Sequence, residues 1–413
     1  MSATLEAYAE AAGQDAIAHL RHLARPLAGA RVVHVNSTLV GGGVAEILAR
    51  LIPLKRELGI DAAWETIGGD PDFFAATKGM HNGLQGQPVD LSRRLVDRWL
   101  EVNAENAVRL RASLADADFV FIHDPQPAPL LGSFADRRGR WVWRCHIDVS
   151  HPHRPIWKLL RSVVRDYDAS IFSLAAFAQP LPHPQYLVAP SIDPLSRKNR
   201  PLDPEEAARA TAPFGIDPSR PVVLQVSRFD RFKDPVGVIR ACRMVRPHVP
   251  IQLVLAGGSA TDDPEGEEVL AEVRAEAGDD PDVKVLLLPP DAHTTINALQ
   301  RLATIVVQKS LREGFGLTVT EALWKGRPVI GGEAGGITLQ VFDNHTGFLV
   351  NTPEGAAFRI RYLLSRPELI TAMGVKGRRL VRENFLLTRH LREYLTLMLA
   401  LRDAAVDRVE VAS

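Results

Sequence analysis

Short apolar runs rich in β-branched residues recur along the chain and alternate with segments of helical period. Unbroken apolar runs are typical of parallel strands that are covered on both faces of a sheet. The pattern therefore predicts an α/β fold in which helices cover both faces of the sheets. Two series of strands are predicted, the first at residues 31–36, 119–123, 141–147, 169–173 and 185–189, the second at 221–226, 251–256, 283–288, 304–307 and 328–331.

A proline-rich, polar stretch at residues 191–204 separates the two series and predicts an interdomain linker. We therefore expect one doubly wound, Rossmann-like domain over residues 1–195 and a second over residues 196–386. Two such domains that face each other leave a cleft at the carboxyl ends of the strands, where open α/β sheets bind ligands. Residues 387–413 are predicted to contain a C-terminal helix that packs back on the first domain, although a core-facing helix of the second domain explains its apolar stripe equally well.

Composition and charge narrow the class of protein. The 413 residues suffice for two or three domains, and 46% hydrophobic with 24% charged residues is ordinary for a globular chain. Lys+Arg and Asp+Glu both total 49, so nothing suggests non-specific binding to nucleic acid or to an anionic membrane. The two cysteines, Cys145 and Cys242, make no disulfide framework. The N-terminal residues 1–23 are predicted to be a helix without signal-peptide features, so we expect a cytoplasmic protein.

Glu313 and Glu321 flank the segment that is most informative for function. Gly314 and Gly316 predict a turn after a strand, and a helix is predicted over residues 317–325. The start of such a helix offers unpaired N–H groups and the positive end of a dipole, which suit a phosphate. The two carboxylates can accept hydrogen bonds from sugar hydroxyls. The segment therefore predicts a site for the diphosphate and the sugars of a nucleotide-sugar.

Arg228 and Lys233 follow the first strand of the predicted second domain, at the point where strand passes into loop. Two cations that converge at this edge can neutralise the charge that develops on a leaving diphosphate. The surface is the commonest place for Arg and Lys, so it is the position after a buried strand that favours a binding role. We predict that both side chains contact the phosphates.

Three consecutive glycines, Gly41, Gly42 and Gly43, follow the first predicted strand and lead into a helix. Glycines let a backbone approach a ligand closely and present its N–H groups, although a plain strand–helix turn has the same pattern. The run matches neither G-x-G-x-x-G nor a Walker loop, so it does not support a dinucleotide or ATP site. Farther along, residues 73–86 are polar and glycine-rich, and we interpret them as a loop that either closes over an acceptor or simply connects two elements.

Polar clusters at residues 123–127 and 144–148 follow two strands of the predicted first domain. Polar groups at strand ends that face a cleft are candidates for binding sugar hydroxyls or for acid–base chemistry. The alternative is a polar strand end that its neighbours satisfy. A metal site at His146, Asp148, His151 and His153 is not expected, because the segment contains a proline and lacks helical spacing.

Together these motifs resemble the retaining GT-B glycosyltransferases of the glycogen synthase and sucrose synthase superfamily. The Arg228 and Lys233 pair and the Glu313 and Glu321 pair match its donor-site motifs. The chain resembles one family more closely, the trehalose glycosyltransferring synthases, from about Arg31 to the C-terminal helix. The segments that carry this resemblance are residues 35–38, 41–46, 77–82, 123–127, 144–148, 190–194 and 309–321, with a minor departure at residue 37, where serine replaces the expected alanine.

The resemblance implies a GT-B fold and transfer of glucose from a nucleoside diphosphate glucose to free glucose, which gives α,α-trehalose. It implies that Arg228 and Lys233 stabilise the leaving diphosphate and that Glu313 contacts the transferred glucose. It also implies that Glu321 binds the ribose and that His146 is a catalytic residue that lines the sugar site. Further donor-binding residues implied are Gly41, Gly42, Gly43, Gly314, Phe315, Gly316, Leu317 and Thr318. The implied acceptor-binding residues are Asn36, Lys78, Asn82, Asp124, Gln126, His146 and Asp148.

Other functions stay open at this point. Trehalose phosphorylase shares the fold and the donor motifs but uses phosphate in place of the nucleotide. A phosphorylated acceptor, such as fructose 6-phosphate, needs extra cations, and Lys78 is the one clear candidate in its region. Transfer to a glucan, a nucleotide-sugar epimerase and a non-catalytic sensor of nucleotide-sugars are the remaining alternatives.

The expected ligands are small molecules, namely a nucleoside diphosphate glucose, glucose and trehalose. We expect no tightly bound cofactor, no metal, no nucleic acid and no membrane partner. The sequence leaves open whether Mg²⁺ stimulates the reaction and whether the chain forms a homodimer. It also leaves open the nucleotide base and the favoured direction.

Overall fold

The structure is a computed structural model, and it describes residues 4–39, 42–258 and 264–403. The chain divides into two units. The first unit contains the residues up to Pro190 together with the helix that begins at Leu387, and the second spans Ser191–Leu386. Each unit is built on a parallel sheet with helices packed against it, so the predicted α/β class is confirmed.

The described part of the first unit contains a six-stranded sheet, all of whose strand pairs are parallel. Its strands are β1 (Arg31–Asn36), β2 (Asp61–Thr66), β3 (Phe119–His123), β4 (Arg140–Arg144), β5 (Ala169–Phe172) and β6 (Gln185–Leu187). They lie in the order β2-β1-β3-β4-β5-β6. Strands β3 and β5 are buried along their whole length, which explains their unbroken apolar runs. Strand β2 was not predicted, because it lies at the edge of the sheet, is mostly half-buried and carries Asp61 and Glu65.

The sheet of the second unit also has six strands within the described ranges, again all parallel. Its strands are β7 (Val222–Val226), β8 (Gln252–Gly257), β9 (Val283–Leu287), β10 (Ile305–Gln308), β11 (Val329–Gly332) and β12 (Gly347–Val350). Their order is β12-β11-β10-β7-β8-β9, which places β7 and β10 side by side in the middle. The short edge strand β12 was not predicted, because it has only four residues and begins with a glycine.

The helices connect these strands. Those of the first unit are α1 (Ala9–Ala12), α2 (Gln14–Ala24), α3 (Gly42–Glu57), α4 (Pro71–Leu84), α5 (Arg93–Leu114) and α6 (Arg154–Val164). Those of the second are α7 (Pro204–Thr211), α8 (Pro235–Val245), α9 (Pro264–Ala277), α10 (His293–Leu302), α11 (Leu317–Trp324), α12 (Pro353–Leu364) and α13 (Pro367–Asn384). The C-terminal helix α14 (Leu387–Arg402) packs against α2 and α3 of the first unit. Among the described helices, none has both the length and the apolar character that a bilayer span requires.

The predicted loop at residues 73–86 is wrong, because most of it lies in helix α4. The carboxylate of Asp70 caps the helix by accepting a hydrogen bond from the N–H of Phe73 at 2.9 Å. Its two inner glycines lie where the helix meets bulkier neighbours, since a Cβ would come within 2.8 Å of Leu91 at Gly79 and 2.6 Å of Ile156 at Gly83. In the sequence these two glycines suggested a loop, whereas in the structure they allow α4 to pack closely against its neighbours.

Two further segments differ from the sequence expectation. The predicted N-terminal helix is interrupted at Gly13, which adopts a φ of 99° between α1 and α2. The proline-rich stretch 191–204 does not run free of the second unit, because the Asn297 side chain donates hydrogen bonds to the carbonyls of Arg197 and Arg200, both at 2.9 Å. In the second case local composition did not reveal the tertiary contact.

Candidate functional site

The loop after β7 places Lys233 at the carboxyl end of the second sheet. Residues Arg231–Lys233 form a 3₁₀ turn, which the carboxylate of Asp230 caps by accepting a hydrogen bond from the N–H of Phe232 at 2.7 Å. The buried Gln225 of β7 donates from Nε2 to the carbonyl of Lys233 at 2.7 Å. These two hydrogen bonds fix the backbone that carries the Lys233 ammonium.

Lys233 and Glu313 form an ion pair, although they lie far apart in the chain. The Lys233 Nζ lies 2.9 Å from both Oε1 and Oε2 of Glu313, and the Ser310 hydroxyl donates to Oε2 at 3.1 Å. The two side chains are only 16% and 11% exposed. A largely buried ion pair is tolerated when its remaining atoms are hydrogen-bonded, and both carboxylate oxygens have a donor here. The pair is therefore a preformed charged centre at the edge of the sheet.

Helix α11 begins directly beyond this pair. Gly316, at a φ of 81°, is its N-cap and supplies no side-chain hydrogen bond. The N–H groups of Leu317 and Thr318, in the first turn, have no acceptor within the helix. The helix was predicted over residues 317–325 and ends at Trp324. The turn thus presents backbone donors and the positive end of a helix dipole beside Glu313, as an anion site requires.

The other predicted donor residues differ in their surroundings. The Arg228 side chain is 63% exposed, and Nη2 lies 3.6 Å from Oδ2 of Asp230. Glu321 is buried, and its Oε2 accepts a hydrogen bond from Nε2 of Gln300 at 3.3 Å. Gly42 and Gly43 are the first residues of α3, whereas Gly41 lies outside the described residues. The structure thus brings Lys233 and Glu313 into contact and leaves Arg228 on the surface.

The loop after β11 supports the Glu313 turn and was missed in the sequence. Gly335 has a φ of 46°, and a Cβ there would overlap the carbonyl oxygen of Glu313. Gly336 donates its N–H to the carbonyl of Gly314 at 2.9 Å. The buried Gln340 donates from Nε2 to the carbonyl of Phe315 at 2.7 Å. The glycine-rich residues 331–336, which end a strand and continue beyond it, are the signal that could have revealed this loop.

A second contact, between Lys309 and Asp234, supports the same edge of the sheet. Lys309 at the end of β10 is 2% exposed and forms an ion pair with Asp234. Asp234 has a φ of 48° and caps α8 by accepting a hydrogen bond from the N–H of Gly237 at 3.1 Å. This pair joins the loop that follows β7 to the end of β10, and thereby holds Lys233 and Glu313 on adjacent strand ends.

In the first unit, Asp124 and His146 lie together at the carboxyl ends of β3 and β4. The Asp124 Oδ1 accepts a hydrogen bond from the backbone N–H of His146 at 2.7 Å, and Asp124 has a φ of 65°. Burial raises the pKa of Asp124 to about 7, whereas the His146 N–H and the charge of Arg144 act in the opposite direction. The His146 Nε2 lies 2.9 Å from Nδ1 of His123. Burial lowers the pKa of His146 well below its usual value, so the ring is neutral.

Helix α5 holds the loop that carries Gln126, and this contact was not predicted. The Trp99 Nε1 donates to the carbonyls of Pro125 and Gln126 at 3.1 and 3.2 Å. The Asn103 side chain donates to the Gln126 carbonyl at 3.0 Å. Trp99 and Asn103 place polar atoms on the buried face of a largely apolar helix, which is the signal that could have identified them.

The remaining acceptor candidates differ in how free their side chains are. Asn36 is buried, with Oδ1 accepting from Trp64 at 2.8 Å and Nδ2 donating to the Thr38 carbonyl at 2.8 Å. The Asp148 carboxylate accepts hydrogen bonds from the N–H and hydroxyl of Ser150 at 2.9 and 2.6 Å. Lys78 is exposed and Asn82 half-buried, both on α4.

Within the described ranges, no three His, Cys, Asp or Glu side chains are arranged to hold a metal ion.

Replacing Asp124 by asparagine is expected to flatten part of the pH dependence of stability. The folded pKa of about 7 exceeds the unfolded value, so the wild-type carboxyl destabilises the fold increasingly as pH rises from about 4 to 7. The amide retains the Oδ1 acceptor and tolerates the positive φ. The advantage of Asp124→Asn in free energy of unfolding should therefore grow over this range in urea titrations at pH 5 and 7.5. An advantage that is equal at both pH values contradicts the shifted carboxyl.

Comparison with known proteins agrees with this architecture. Residues 34–179 match the family model "Trehalose synthase, N-terminal domain", and residues 208–380 match "Glycosyl transferases group 1". A UDP-forming α,α-trehalose-phosphate synthase from Burkholderia xenovorans has the same fold, with a TM-score of 0.71 and 17% identity, over 91% of this chain and all of that one. The fold and the domain matches define a glycosyltransferase of the GT-B class.

A closer relationship is found in sequence. The chain is 44% identical to a trehalose synthase of Pyrococcus horikoshii over 399 residues, which is 95% of each chain. It therefore belongs to the trehalose synthase family. A trehalose phosphorylase of Pleurotus pulmonarius is more distant, at 29% identity over 78% of this chain and half of that protein.

Proposed function

We propose that the protein is a retaining glucosyltransferase that makes α,α-trehalose from a nucleoside diphosphate glucose and free glucose. The observation that carries the proposal is the Lys233–Glu313 pair beside the start of α11, which has no side-chain cap, in a chain 44% identical to a trehalose synthase. The positive end of the helix and the ammonium suit a diphosphate, and the adjacent carboxylate suits sugar hydroxyls. One centre thus accounts for both halves of a nucleotide-sugar donor.

In this proposal Lys233 acts on the leaving group. An ammonium has three N–H donors, so Lys233 can hold Glu313 and a phosphate oxygen at the same time. Arg228, whose side chain is exposed, adds a second cation when the donor is bound. Charge that develops on the diphosphate is stabilised by groups already in place, which is how electrostatic preorganisation accelerates a reaction. The first-turn N–H groups of α11 also stabilise the negative charge on the diphosphate.

The proposed reaction needs no protein nucleophile. The acceptor hydroxyl attacks the anomeric carbon on the face that the diphosphate leaves, through an oxocarbenium-like transition state. The C–O bond to the phosphate breaks, the new C–O bond forms, and a phosphate oxygen takes the acceptor's proton. The protein then contributes mainly by positioning both substrates and excluding water. Glu313 is assigned to the hydroxyls of the transferred glucose, and Glu321 to the ribose.

The test is a product assay with defined donors. The purified protein is incubated with glucose and, separately, with ADP-, UDP- or GDP-glucose, and trehalose and free nucleoside diphosphate are quantified. We expect equimolar formation of both products with at least one donor, and neither product when glucose is omitted. Donor consumption that does not depend on glucose would instead indicate an epimerase. Formation of glucose 1-phosphate from trehalose and phosphate without nucleotide would identify a phosphorylase and overturn the proposal.

A further inference from the structure

A continuous chain of hydrogen bonds runs from Lys55 on α3 to His146 at the end of β4. The Lys55 Nζ lies 2.7 Å from Nε2 of His34, and Nδ1 of His34 lies 2.9 Å from Nε2 of His123. His123 in turn contacts Nε2 of His146 through its Nδ1, at 2.9 Å. Lys55, His34 and His123 are buried, whereas His146 is half-buried. The chain therefore leads from the interior of the first unit to the edge of its sheet.

Lys55, the first residue of this hydrogen-bonded series, determines which nitrogen donates in each of its hydrogen bonds. A neutral imidazole has one donor and one acceptor nitrogen, while an ammonium can only donate. If Lys55 donates to Nε2 of His34, the proton of each ring must lie on Nδ1 and be donated to the next Nε2. The Nδ1–H of His146 is then the last donor, and this atom contacts no acceptor among the described residues. An Nδ1–H directed at a ligand oxygen would complete the chain.

Two aromatic rings face the Lys55 ammonium and offset part of the cost of burying its charge. Its Nζ lies 5.1 Å from the ring centroid of Phe121 and 4.8 Å from that of Tyr394, distances at which aromatic faces attract a cation. The ring of His34 stacks on Phe121 at 4.7 Å, and that of His123 stacks on His146 at 5.2 Å. These stacked rings fix the imidazole planes and hence the line of the hydrogen bonds. The arrangement is a built structure and not a chance grouping of polar side chains.

We propose that Lys55, acting through His34 and His123, holds His146 in the tautomer that carries its proton on Nδ1. Lys55, His34 and His123 are positioning residues in this scheme, because they act through His146. The fixed tautomer makes His146 a hydrogen-bond donor towards a sugar oxygen, and this last step rests on the function proposed above. A ring free to change tautomer would offer the donor for only part of the time, which weakens binding of an oxygen that needs it.

The control of the His146 tautomer by Lys55 is lost as pH rises. Burial lowers the pKa of Lys55 to about 7 and that of His123 to about 3, and it lowers the pKa of His34 and His146 well below their usual values. The three rings therefore stay neutral while Lys55 loses its proton as pH rises through about 7. A neutral amine can also accept, so the direction of the chain is then no longer enforced.

Other titratable groups lie close to the hydrogen-bonded residues Lys55, His34, His123 and His146. The test therefore has to separate their effects from that of Lys55. His390 stacks on Tyr394 at 5.1 Å, and the buried Arg144 and the carboxyl of Asp124 lie on the side of His146. The pKa of Asp124 is also raised to about 7, so a pH titration alone does not separate Asp124 from Lys55. The decisive comparison is therefore between variants at one pH.

The test is a tautomer measurement by NMR on uniformly ¹⁵N-labelled full-length protein at pH 6. Long-range ¹H–¹⁵N correlation distinguishes protonated from unprotonated ring nitrogens, and His146→Gln identifies the His146 signals by their loss. We expect the wild type to carry the His146 proton on Nδ1. Lys55→Met should give a mixture of tautomers or the Nε2–H form, because nothing then imposes a direction. A wild type with the proton on Nε2, or a Lys55→Met protein identical to wild type, overturns the inference.

Matched variants separate this effect from a loss of stability. Leu54→Ala, on the same helix and equally buried, should destabilise the fold without altering the His146 tautomer. Lys55→Arg retains a donor and should keep the Nδ1–H form. If Lys55→Met does not fold, His34→Phe breaks the chain with a ring of similar size and makes the same prediction. The tautomer is measured without substrate, so it can be read whether or not the protein makes trehalose.

Activity supplies the second, independent readout. Provided that the product assay detects transfer, Lys55→Met should lower kcat/KM about five- to tenfold, the effect of one lost hydrogen bond of ordinary strength. Lys55→Arg should recover most of this loss, and Leu54→Ala should show none at a temperature where it is folded. A normal kcat/KM in a Lys55→Met protein with a changed tautomer would remove the sugar-binding step and leave the tautomer device intact.

Discussion

Replacing Lys233 by methionine is expected to lower kcat for glucosyl transfer by roughly 10²–10³-fold, the effect of removing one preorganised donor from a developing anion. The ammonium lies 2.9 Å from both oxygens of Glu313, at the loop that carries the proposed diphosphate site. Its loss removes charge stabilisation that matters most when the nucleotide leaves. The KM for glucose should change far less, because the acceptor does not contact Lys233 in this scheme. Steady-state rates with glucose varied at saturating donor measure both constants.

The same substitution also breaks a largely buried ion pair, so its effect on folding must be separated from catalysis. Breaking a buried pair costs about 3–5 kcal/mol when one charge is left unpaired, and less with partial exposure. The double variant Lys233→Met/Glu313→Gln removes both charges and should regain much of that stability. It should regain none of the activity. Recovery of kcat in the double variant, or a single variant with normal turnover, would contradict the role assigned to Lys233.

The interior of both sheets was predictable because burial on two faces leaves a clear mark in the sequence. Strands β1 and β3 begin and end where the apolar runs do, whereas the edge strands β2 and β12 were missed. Strand β2 is half-buried and interrupted by Asp61 and Glu65, whereas β12 has only four residues and begins with a glycine. Helix α4 was missed for a different reason, since its glycines reflect contacts with Leu91 and Ile156 that no local pattern contains.

The site was predictable in its residue types but not in its supports. Lys233 and Glu313 each follow an apolar strand, and β7 and β10 prove to be neighbours in the sheet, which explains why the two side chains meet. The residues that hold them in place come from elsewhere in the chain. Gln340 and Lys309 are buried polar side chains whose partners are fixed only by the tertiary fold. The chain from Lys55 to His146 is of the same kind, because its four members lie on separate elements.

Replacing Gly335 by alanine should reduce activity by roughly 10²-fold, because it displaces Glu313 without altering any polar side chain. Its added Cβ would overlap the Glu313 carbonyl oxygen, so the turn that carries the carboxylate has to move. A misplacement of about 1 Å at a reacting centre can cost that much in rate. We expect the loss in kcat/KM for the donor, together with weaker binding of the nucleoside diphosphate by calorimetry.

Gly215→Ala is the matched control for the strain that a side chain causes at positive φ. Gly215 has a φ of 59° in the same unit, but nothing lies within 4 Å of its added Cβ. Both variants pay the cost of a left-handed residue, about 1–2 kcal/mol, and only Gly335→Ala adds the clash. The difference between their melting temperatures therefore measures the clash, and the difference between their activities measures the displacement of Glu313. If Gly335→Ala binds and turns over the donor as well as Gly215→Ala does, the Glu313 turn does not position the donor.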